Sequence, residues 1–129
     1  MPDLFSPAWA DALCAGLNAS AEYRRAAATW EGALAFVARA DPAPRAVWLD
    51  LHHGACRSAL AGPDAAARDA PFTIEAALAV WQDVLSGRLD PLTSMMLGKM
   101  TVTGNMSTLA AHAASAKVLF AHAAAIETT

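Results

Sequence analysis

The chain is 129 residues long, enough for one domain with a hydrophobic core of its own, so we predict a single domain over residues 1–129. The hydrophobic fraction of 56% overstates the bulky apolar content, because alanine, which buries little surface, is abundant. A net charge of −3 and the lack of a basic stripe in the sequence argue against a nucleic-acid-binding surface.

Two helices are predicted at the N-terminal end. Ser6 and Pro7 suit an N-cap and a first helical position, and apolar residues then recur at every fourth position over residues 9–17. The pattern breaks near residues 18–20, and a second helical segment is expected over residues 21–28.

The next part of the chain has the period of two that is typical of half-buried strands. The alternation covers residues 30–39, residues 47–52 and the positions from Cys56 onward. Short turns lie between them at residues 41–44 and 53–54. Two tight connections in series indicate an antiparallel meander of three strands.

A loop, a short strand and a helix are predicted in the middle of the chain. Residues 62–71 are rich in alanine, aspartate and proline, which is typical of a loop. Residues 72–74 favour a strand, and residues 75–86 favour a helix with Trp81 and Leu85 on its apolar face.

The following segment combines two short elements with a cluster of methionines. Asp90 and Pro91 begin a short helix that ends at Gly98, and a strand is expected over residues 99–103. Four of the five methionines of the chain lie in this region: Met95, Met96, Met100 and Met106. Methionine fills irregular gaps in a core, and it also lines surfaces that accept variable apolar partners. The pattern alone leaves both interpretations open.

The last helix is predicted over residues 106–125. Its bulky apolar residues fall within about half of the circumference; they are Met106, Leu109, Leu119, Phe120 and Ile126. His112 lies inside this arc. A histidine in such a position is usually hydrogen-bonded to backbone at the edge of the core, and the alternative is a polar contact inside a ligand cavity.

Catalysis is not supported by the motifs of this sequence. It contains no Gly-rich phosphate loop, no Gly-x-Ser-x-Gly turn and no His-Glu-x-x-His pair. His52, His53 and Cys56 are the one candidate for metal ligation, but adjacent histidines on a strand should point to opposite faces, and zinc sites need three or four ligands. We therefore predict no catalytic residue, no metal site and no cofactor.

The most concentrated positive charge is the pair Arg24 and Arg25. The simpler interpretation is a solvent-exposed face of the second helix. The functional interpretation is an anchor for a carboxylate or lipid headgroup, because the planar guanidinium suits bidentate pairing with acids.

Cysteine content and hydropathy bear on the cellular location. Cys14 and Cys56 are too few for a disulfide framework, and both lie in apolar contexts, so we expect reduced, buried thiols. The sequence shows no signal-peptide pattern, and no apolar run approaches the ~20 residues that span a bilayer. These features favour a cytoplasmic protein without a transmembrane segment.

The second half of the chain resembles the C-terminal half of the sterol carrier protein 2 family. In that family a helix, a Leu-Asp-Pro step, a small helix and a Gly-Lys-x-x-x-x-Gly strand follow one another, as residues 89–91 and 98–106 do here. The N-terminal half is similar too, with Trp-Glu-Gly at residues 30–32 opening the meander and residues 50–54 at its turn. The similarity covers about residues 5–122 and is strongest to small, single-domain bacterial members.

The resemblance implies an α+β fold with a mostly antiparallel five-stranded sheet, covered by helices on one face, and an apolar cavity between sheet and helices. It also implies non-catalytic binding and transfer of a lipid or acyl-chain ligand: a fatty acid, acyl-CoA, a sterol-like molecule or an isoprenoid. The alternative is an accessory module that presents a hydrophobic substrate to a lipid-metabolising partner enzyme. An enzyme acting on a small lipid is the third possibility.

We expect the last helix and the short helix over residues 91–97 to close this cavity. The residues expected to line it are apolar and come from the sheet and the helices of the second half: Phe36, Leu49, Trp81, Leu85, Met95, Met96, Met100, Val102, Leu109 and Phe120. Arg24, Arg25 and His112 are the candidate headgroup contacts.

Overall fold

The computed structural model describes residues 3–63, 65 and 68–128. Its helices and strands largely follow the order that the sequence predicts. In chain order they are α1 (Pro7–Ala19), α2 (Ala21–Ala26), β1 (Glu31–Arg39), β2 (Arg45–His52), β3 (Ala55–Ala61), β4 (Phe72–Ala77), α3 (Leu78–Leu85), α4 (Pro91–Met96), β5 (Met100–Thr103), α5 (Met106–Ala111) and α6 (Ala113–Ala125).

The five strands form one sheet in the order β3-β2-β1-β4-β5. The neighbouring strands are antiparallel except β1 and β4, which run parallel with Leu34 opposite Phe72. A parallel pair needs a crossover connection, and the residues between β3 and β4 supply it. The prediction of an α+β fold with a mostly antiparallel five-stranded sheet is confirmed.

Helix starts are set by local capping, as predicted. The side chains of Ser6, Ser20, Asp90 and Asn105 each accept a hydrogen bond from the backbone N–H three residues further on, at distances of 2.9–3.2 Å. Each cap satisfies one of the amide groups that a helix leaves unpaired at its N-terminus.

Two predicted boundaries are wrong. The helix expected from residue 75 begins at Leu78, because Glu75–Ala77 continue β4 in register with β1 and β5. The single last helix is two helices: the backbone of His112 leaves the helical region with φ −111° and ψ 26°, between α5 and α6.

The core lies between the sheet and the helices that cover its inner face. An aromatic cluster dominates it: Phe5, Trp9, Phe36, Trp81 and Phe120 have ring centroids 4.9–6.2 Å apart and exposures of at most 9%. Trp81 also donates its indole N–H to the backbone oxygen of Val37 at 2.9 Å. Large aromatic side chains contribute most of the buried apolar area, so this cluster ties the N-terminal segment, β1, α3 and α6 together.

Arg68 and Asp69, in the connection between β3 and β4, lie against the opposite face of the sheet. The Trp48 indole N–H donates to the backbone oxygen of Asp69 at 3.1 Å, and the Arg68 guanidinium lies 4.5 Å from the centroid of the Trp48 ring. The crossover therefore shields part of the outer face through one tryptophan.

Two contacts hold the helices to the edge of the sheet. The Asn18 amide accepts from the Cys56 N–H at 2.8 Å and donates to the Cys56 oxygen at 2.9 Å, joining α1 to β3. In the β2–β3 turn, a Cβ at Gly54 would lie 2.7 Å from the Arg24 carbonyl oxygen, so glycine permits α2 to approach the turn.

The turn also corrects the prediction for the two histidines. His53 has φ +48°, outside the strand conformation, so its imidazole does not alternate with that of His52. The two rings are stacked instead, with centroids 4.0 Å apart and an angle of 9° between their planes.

Candidate ligand-binding site

A small apolar cavity lies between the inner face of the sheet and the helices α5 and α6. Its volume is about 40 Å³. The wall is formed by side chains from α2, the sheet and the two helices: Tyr23, Trp30, Leu34, Leu51, Ile74, Leu109, Ser115, Ala116, Leu119 and Phe120. A space of this size holds about one water molecule, so an acyl chain fits only if the wall moves.

The wall of this cavity presents almost no hydrogen-bonding group. The Ser115 hydroxyl donates to the backbone oxygen of His112 at 2.8 Å, which satisfies its donor within the helix turn. Burial raises the pKa of Tyr23 above its usual range, with a smaller contribution from Cys56, so its hydroxyl stays neutral. Such a lining suits a hydrocarbon group.

Helix α5 covers the cavity from the solvent side. All six of its residues are described and none is buried, although Leu109 reaches the cavity wall. At its end, His112 accepts or donates a hydrogen bond with the Thr29 hydroxyl at 3.2 Å and contacts the Trp30 ring edge-on at 5.1 Å. The helix is thus held by the half-buried side chain of Leu109 and by the contacts of His112.

Of the two roles considered for His112, the structure shows the simpler one, a hydrogen bond to backbone at the edge of the core. Its Nδ1 lies 2.9 Å from the backbone oxygen of Thr108, so the ring is hydrogen-bonded to the chain at the edge of the core. It borders the cavity through Trp30, which is part of the wall, and does not itself line the cavity.

A larger, open cavity of about 420 Å³ lies elsewhere, between the N-terminal segment, α3 and the end of α6. Leu85 contributes to it, together with Arg88 and Gln82 from the α3 side. Trp9 also lines it, and its buried indole N–H has no hydrogen-bond partner among the described residues. The volume falls within the usual range of ligand pockets, but the lining mixes polar and apolar groups.

The residues that the sequence predicts to line one cavity are divided among the small cavity, the large cavity, the core and the surface. Leu109 and Phe120 line the small cavity, and Leu85 lines the large one. Phe36, Leu49, Trp81 and Met100 are buried in the core, with Met95 and Val102 packed against it. Met96 is 80% exposed and lies at the surface.

The predicted cavity of lipid size is not found between sheet and helices in the part of the chain that the structure describes. The aromatic rings of the core occupy the space that the sequence interpretation gave to a ligand. The role of the ten expected residues in ligand binding stays a prediction.

The two arginines lie on the solvent side of α2. Both are exposed, and the Arg24 guanidinium donates to the backbone oxygen of Asn18 at 3.0 Å. Tyr23, between Ser20 and this pair, is the residue of α2 that reaches the small cavity. A headgroup contact with Arg24 or Arg25 stays a prediction.

Sequence reasoning missed most of the residues that line the small cavity. Trp30, Leu34 and Leu51 carried a usable signal, because the period of two places them on the same face of β1 and β2 as other buried residues. Ala116 and Ser115 carried no such signal, because small residues do not mark an apolar face of a helix.

One group of potential metal ligands lies outside the cavities. The donor atoms of Glu31, His52 and His53 all lie within 4.8 Å of one another, at the start of β1 and the end of β2. The His53 Nε2 is 2.6 Å from a Glu31 carboxylate oxygen.

The fold is that of a small α+β domain in which helices cover one face of a five-stranded sheet. The sequence profile described as the SCP-2 sterol transfer family matches residues 10–117, and the chain belongs to this family. Members of the family bind and transfer lipids.

Solved structures agree with this assignment. A crystal structure of sterol carrier protein 2 is 46% identical with a TM-score of 0.90, covering 97% of this chain and 100% of that one. A conserved hypothetical protein from Thermus thermophilus, described as possibly a sterol carrier protein, is 44% identical with a TM-score of 0.87, covering 100% of this chain and 93% of that one.

A more distant structure shows the fold alone. The protein described as "UbiJ-SCP2 Ubiquinone synthesis protein" is 18% identical with a TM-score of 0.56, covering 88% of this chain and 86% of that one. Comparison with curated proteins gives no significant match. In the described part of the chain, no helix has the length and apolar character needed to cross a membrane.

Proposed function

We propose that the protein binds the apolar tail of a lipid or acyl-chain amphiphile between its sheet and the α5–α6 pair, and carries it without chemical change. The whole chain acts as one carrier domain in this proposal. Family membership supports lipid binding in general, and the nearly uniform apolar wall favours a hydrocarbon ligand. The proposed role needs no catalytic group and no cofactor.

The observation that carries the proposal is the weak attachment of α5. This helix reaches the apolar cavity through Leu109 alone, which is half-buried, and none of its residues is fully buried. Helices are held in proteins mainly by burying an apolar face, so α5 can move outward at low cost. Outward movement would join the small cavity to solvent and enlarge it for a chain.

The energetics favour reversible binding. Burying a chain of about sixteen carbons gains about 12 kcal/mol at about 0.8 kcal/mol per methylene. Lost translational freedom and ordering remove about 4–15 kcal/mol of this gain. Micromolar affinity, which corresponds to about 8 kcal/mol, is therefore the tightest binding expected, and it suits a carrier that must also release its ligand. An apolar pocket of this kind discriminates single methylenes weakly.

A matched pair of substitutions on α6 tests the location of the site. Ala116 lines the small cavity, whereas Ala121 on the same helix is exposed. We expect Ala116→Leu to fill the cavity and lower the uptake of a fluorescent fatty acid at least tenfold, while Ala121→Leu leaves uptake unchanged. Circular dichroism and urea unfolding verify that both variants fold.

Equal uptake by the two folded variants would contradict the proposal. If Ala116→Leu has no effect but Leu85→Trp lowers uptake, the ligand occupies the larger cavity near α3 instead. If no variant and no wild-type protein takes up the fatty acid, the carrier role itself is excluded for acyl chains.

The exposed apolar residues favour a second candidate function. Leu92, Met96, Leu97 and Met106 are 60–80% exposed, and exposed apolar patches mark partner surfaces. The chain would then present a hydrophobic substrate to a lipid-metabolising enzyme that docks on this surface. Native mass spectrometry of protein purified from its host separates the two: a bound lipid supports the carrier, and a stoichiometric protein partner supports the presenting module.

We also propose that the protein acts in the cytoplasm. Cys14 and Cys56 are free thiols, and the Cys14 thiol donates to the Cys56 backbone oxygen at 3.3 Å. A reducing compartment preserves this state. Alkylation of the thiols in intact host cells, followed by mass spectrometry, tests it.

A further inference from the structure

The β2–β3 turn brings two imidazoles and a carboxylate to one point on the surface. Glu31 and His52 are directly opposite each other in the β1–β2 register, and His53 is the next residue in the chain. The His53 Nε2 lies 2.6 Å from the Glu31 carboxylate, and the His52 and His53 rings stack at 4.0 Å. All three donor atoms lie within 4.8 Å of one another.

The backbone that carries these groups is held from two sides. The His53 N–H donates to the backbone oxygen of Trp30 at 2.8 Å, and Gly54 packs against the backbone of Arg24. His53 itself has φ +48°, a conformation that costs a non-glycine residue free energy. The turn is therefore fixed in a conformation that directs a second imidazole toward Glu31.

We propose that Glu31, His52 and His53 bind a divalent transition-metal ion, with Zn²⁺ as the reference ion. Two imidazole nitrogens and one carboxylate oxygen form a donor set that such ions prefer, and the remaining positions are open to water. The site lies on the surface, where the Glu31 and His53 side chains are 64% and 51% exposed, so an ion enters without any opening of the fold.

Only side-chain movements are required for binding. Zinc bonds to imidazole nitrogen and carboxylate oxygen are about 2.0–2.2 Å long, so donors sharing one ion lie roughly 3–3.5 Å apart. The His53–Glu31 pair opens slightly from 2.6 Å, and His52 turns toward it from within 4.8 Å. The exposed Glu31 and His53 side chains rotate freely, the half-buried His52 imidazole has to leave its stacked position on His53, and the anchored turn keeps the imidazoles together.

The site would fasten the start of β1 to the β2–β3 turn. Trp30 and Leu51, which line the small apolar cavity, directly precede Glu31 and His52 in the chain. An ion here therefore rigidifies the sheet end of the cavity wall. Metal binding does not require the proposed lipid binding, because none of the three ligands lines that cavity.

Isothermal titration of the tag-free chain with ZnCl₂ and with MgCl₂ tests the site. We expect one Zn²⁺ per chain and no Mg²⁺ binding, because imidazole ligands suit zinc and Mg²⁺ prefers oxygen. Glu31→Gln keeps the shape of the side chain, and His53→Gly suits the positive φ while removing the imidazole. Each should weaken Zn²⁺ binding by roughly tenfold to a hundredfold or more.

His122→Gln is the matched control, because His122 is a histidine on α6 away from this turn. It should leave Zn²⁺ binding unchanged. In parallel, Co²⁺ should give a visible absorption spectrum with the wild type that is lost in His53→Gly. Circular dichroism confirms that the variants fold.

Three results would overturn the proposal. Absence of 1:1 Zn²⁺ binding by the wild type would exclude the site. Unchanged affinity in both folded variants, Glu31→Gln and His53→Gly, would show that the ion binds elsewhere. Loss of binding in His122→Gln would transfer the site to α6.

Discussion

Gly54 is the residue that allows α2 to pack closely against the β2–β3 turn. Its φ is +82°, and a Cβ at this position would lie 2.7 Å from the Arg24 oxygen. A Cβ contact this short has to be relieved by backbone movement. Glycine is therefore required here for two reasons: the positive φ of the backbone and the close approach of α2 to the β2–β3 turn.

Gly87 offers a matched comparison for this role. It has φ +84°, but no heavy atom of the described residues lies within 4 Å of a Cβ built there. Both alanine variants suffer the same backbone strain, and only Gly54→Ala adds a steric conflict, which costs about 1–3 kcal/mol. We expect Gly54→Ala to lower the free energy of unfolding by that much more than Gly87→Ala, measured by urea denaturation. Equal losses would show that strain alone requires glycine at residue 54.

Asp90 stabilises the start of α4 through its charged form. It accepts hydrogen bonds from the Thr93 N–H at 2.9 Å and from the Thr93 hydroxyl at 3.1 Å, and these bonds lower the pKa of its carboxyl group. Because the folded-state pKa lies below the unfolded one, the added stability is present above the unfolded pKa. It is lost as the pH falls through the folded pKa.

Asp90→Asn removes this titration while keeping an effective cap. We expect the wild type to be the more stable protein at neutral pH, and the difference in urea midpoint to shrink as the solution is acidified. A difference that does not change with pH would show that the charge of Asp90 adds nothing to the cap.

At the scale of elements, α5 is a helix without fully buried residues that depends on local interactions at its N-terminus. Gly104 precedes it with φ +143°, and the Asn105 side chain accepts from the Thr108 N–H at 3.1 Å. Because the helix buries none of its own described residues, this cap is one of the few local forces that hold it folded. The stability of α5 should therefore depend on Asn105 more than that of α1 depends on Ser6.

Asn105→Ala tests whether α5 is a movable cover. Loss of an N-cap costs about 1 kcal/mol, which raises the population of the open form about fivefold. We expect faster hydrogen exchange at the amides of α5 and faster uptake of a fluorescent fatty acid. Ser20→Ala removes an equivalent cap from α2 and should leave exchange in α5 unchanged. Equal exchange rates in α5 for the two variants would contradict the movable cover.

The elements themselves were largely predictable from the sequence, because their signals are local. The cap residues Ser6, Ser20, Asp90 and Asn105 marked the helix starts, and the period of two marked β1 and β2. The break at His112 gave no such signal, since its neighbours suit a continuous helix. The end of β4 was missed because Glu75 and Ala76 pair with both β1 and β5, and Ala77 pairs with β1, a non-local effect that outweighs helix propensity.

At the scale of the whole molecule, the sequence predicted the layers and did not predict the space between them. The period of two in β1 correctly predicted that Phe36 faces inward. The same period is expected whether an inward-facing residue packs in the core or lines a cavity. Whether Phe36 meets Trp81 or a ligand depends on the volumes of side chains from four separate segments. Interiors pack to a uniform density, and the aromatic cluster fills this one.

Trp81 distinguishes a filled core from a ligand cavity. It is fully buried, packs against Phe36, stacks on Phe120 and donates to the Val37 oxygen. If it is a core residue, Trp81→Ala leaves a cavity and an unpaired acceptor, and we expect a loss of about 3–5 kcal/mol in the free energy of unfolding.

Trp48→Ala supplies the matched control on the outer face, where the indole is half-buried against the crossover and its loss should cost clearly less. Urea unfolding followed by far-ultraviolet circular dichroism measures both variants. If instead Trp81 borders a space that ligands occupy, its truncation enlarges that space, stability changes little, and fatty-acid uptake is kept or rises. The size of the loss in the free energy of unfolding therefore decides whether the aromatic cluster is solid core or part of the binding site.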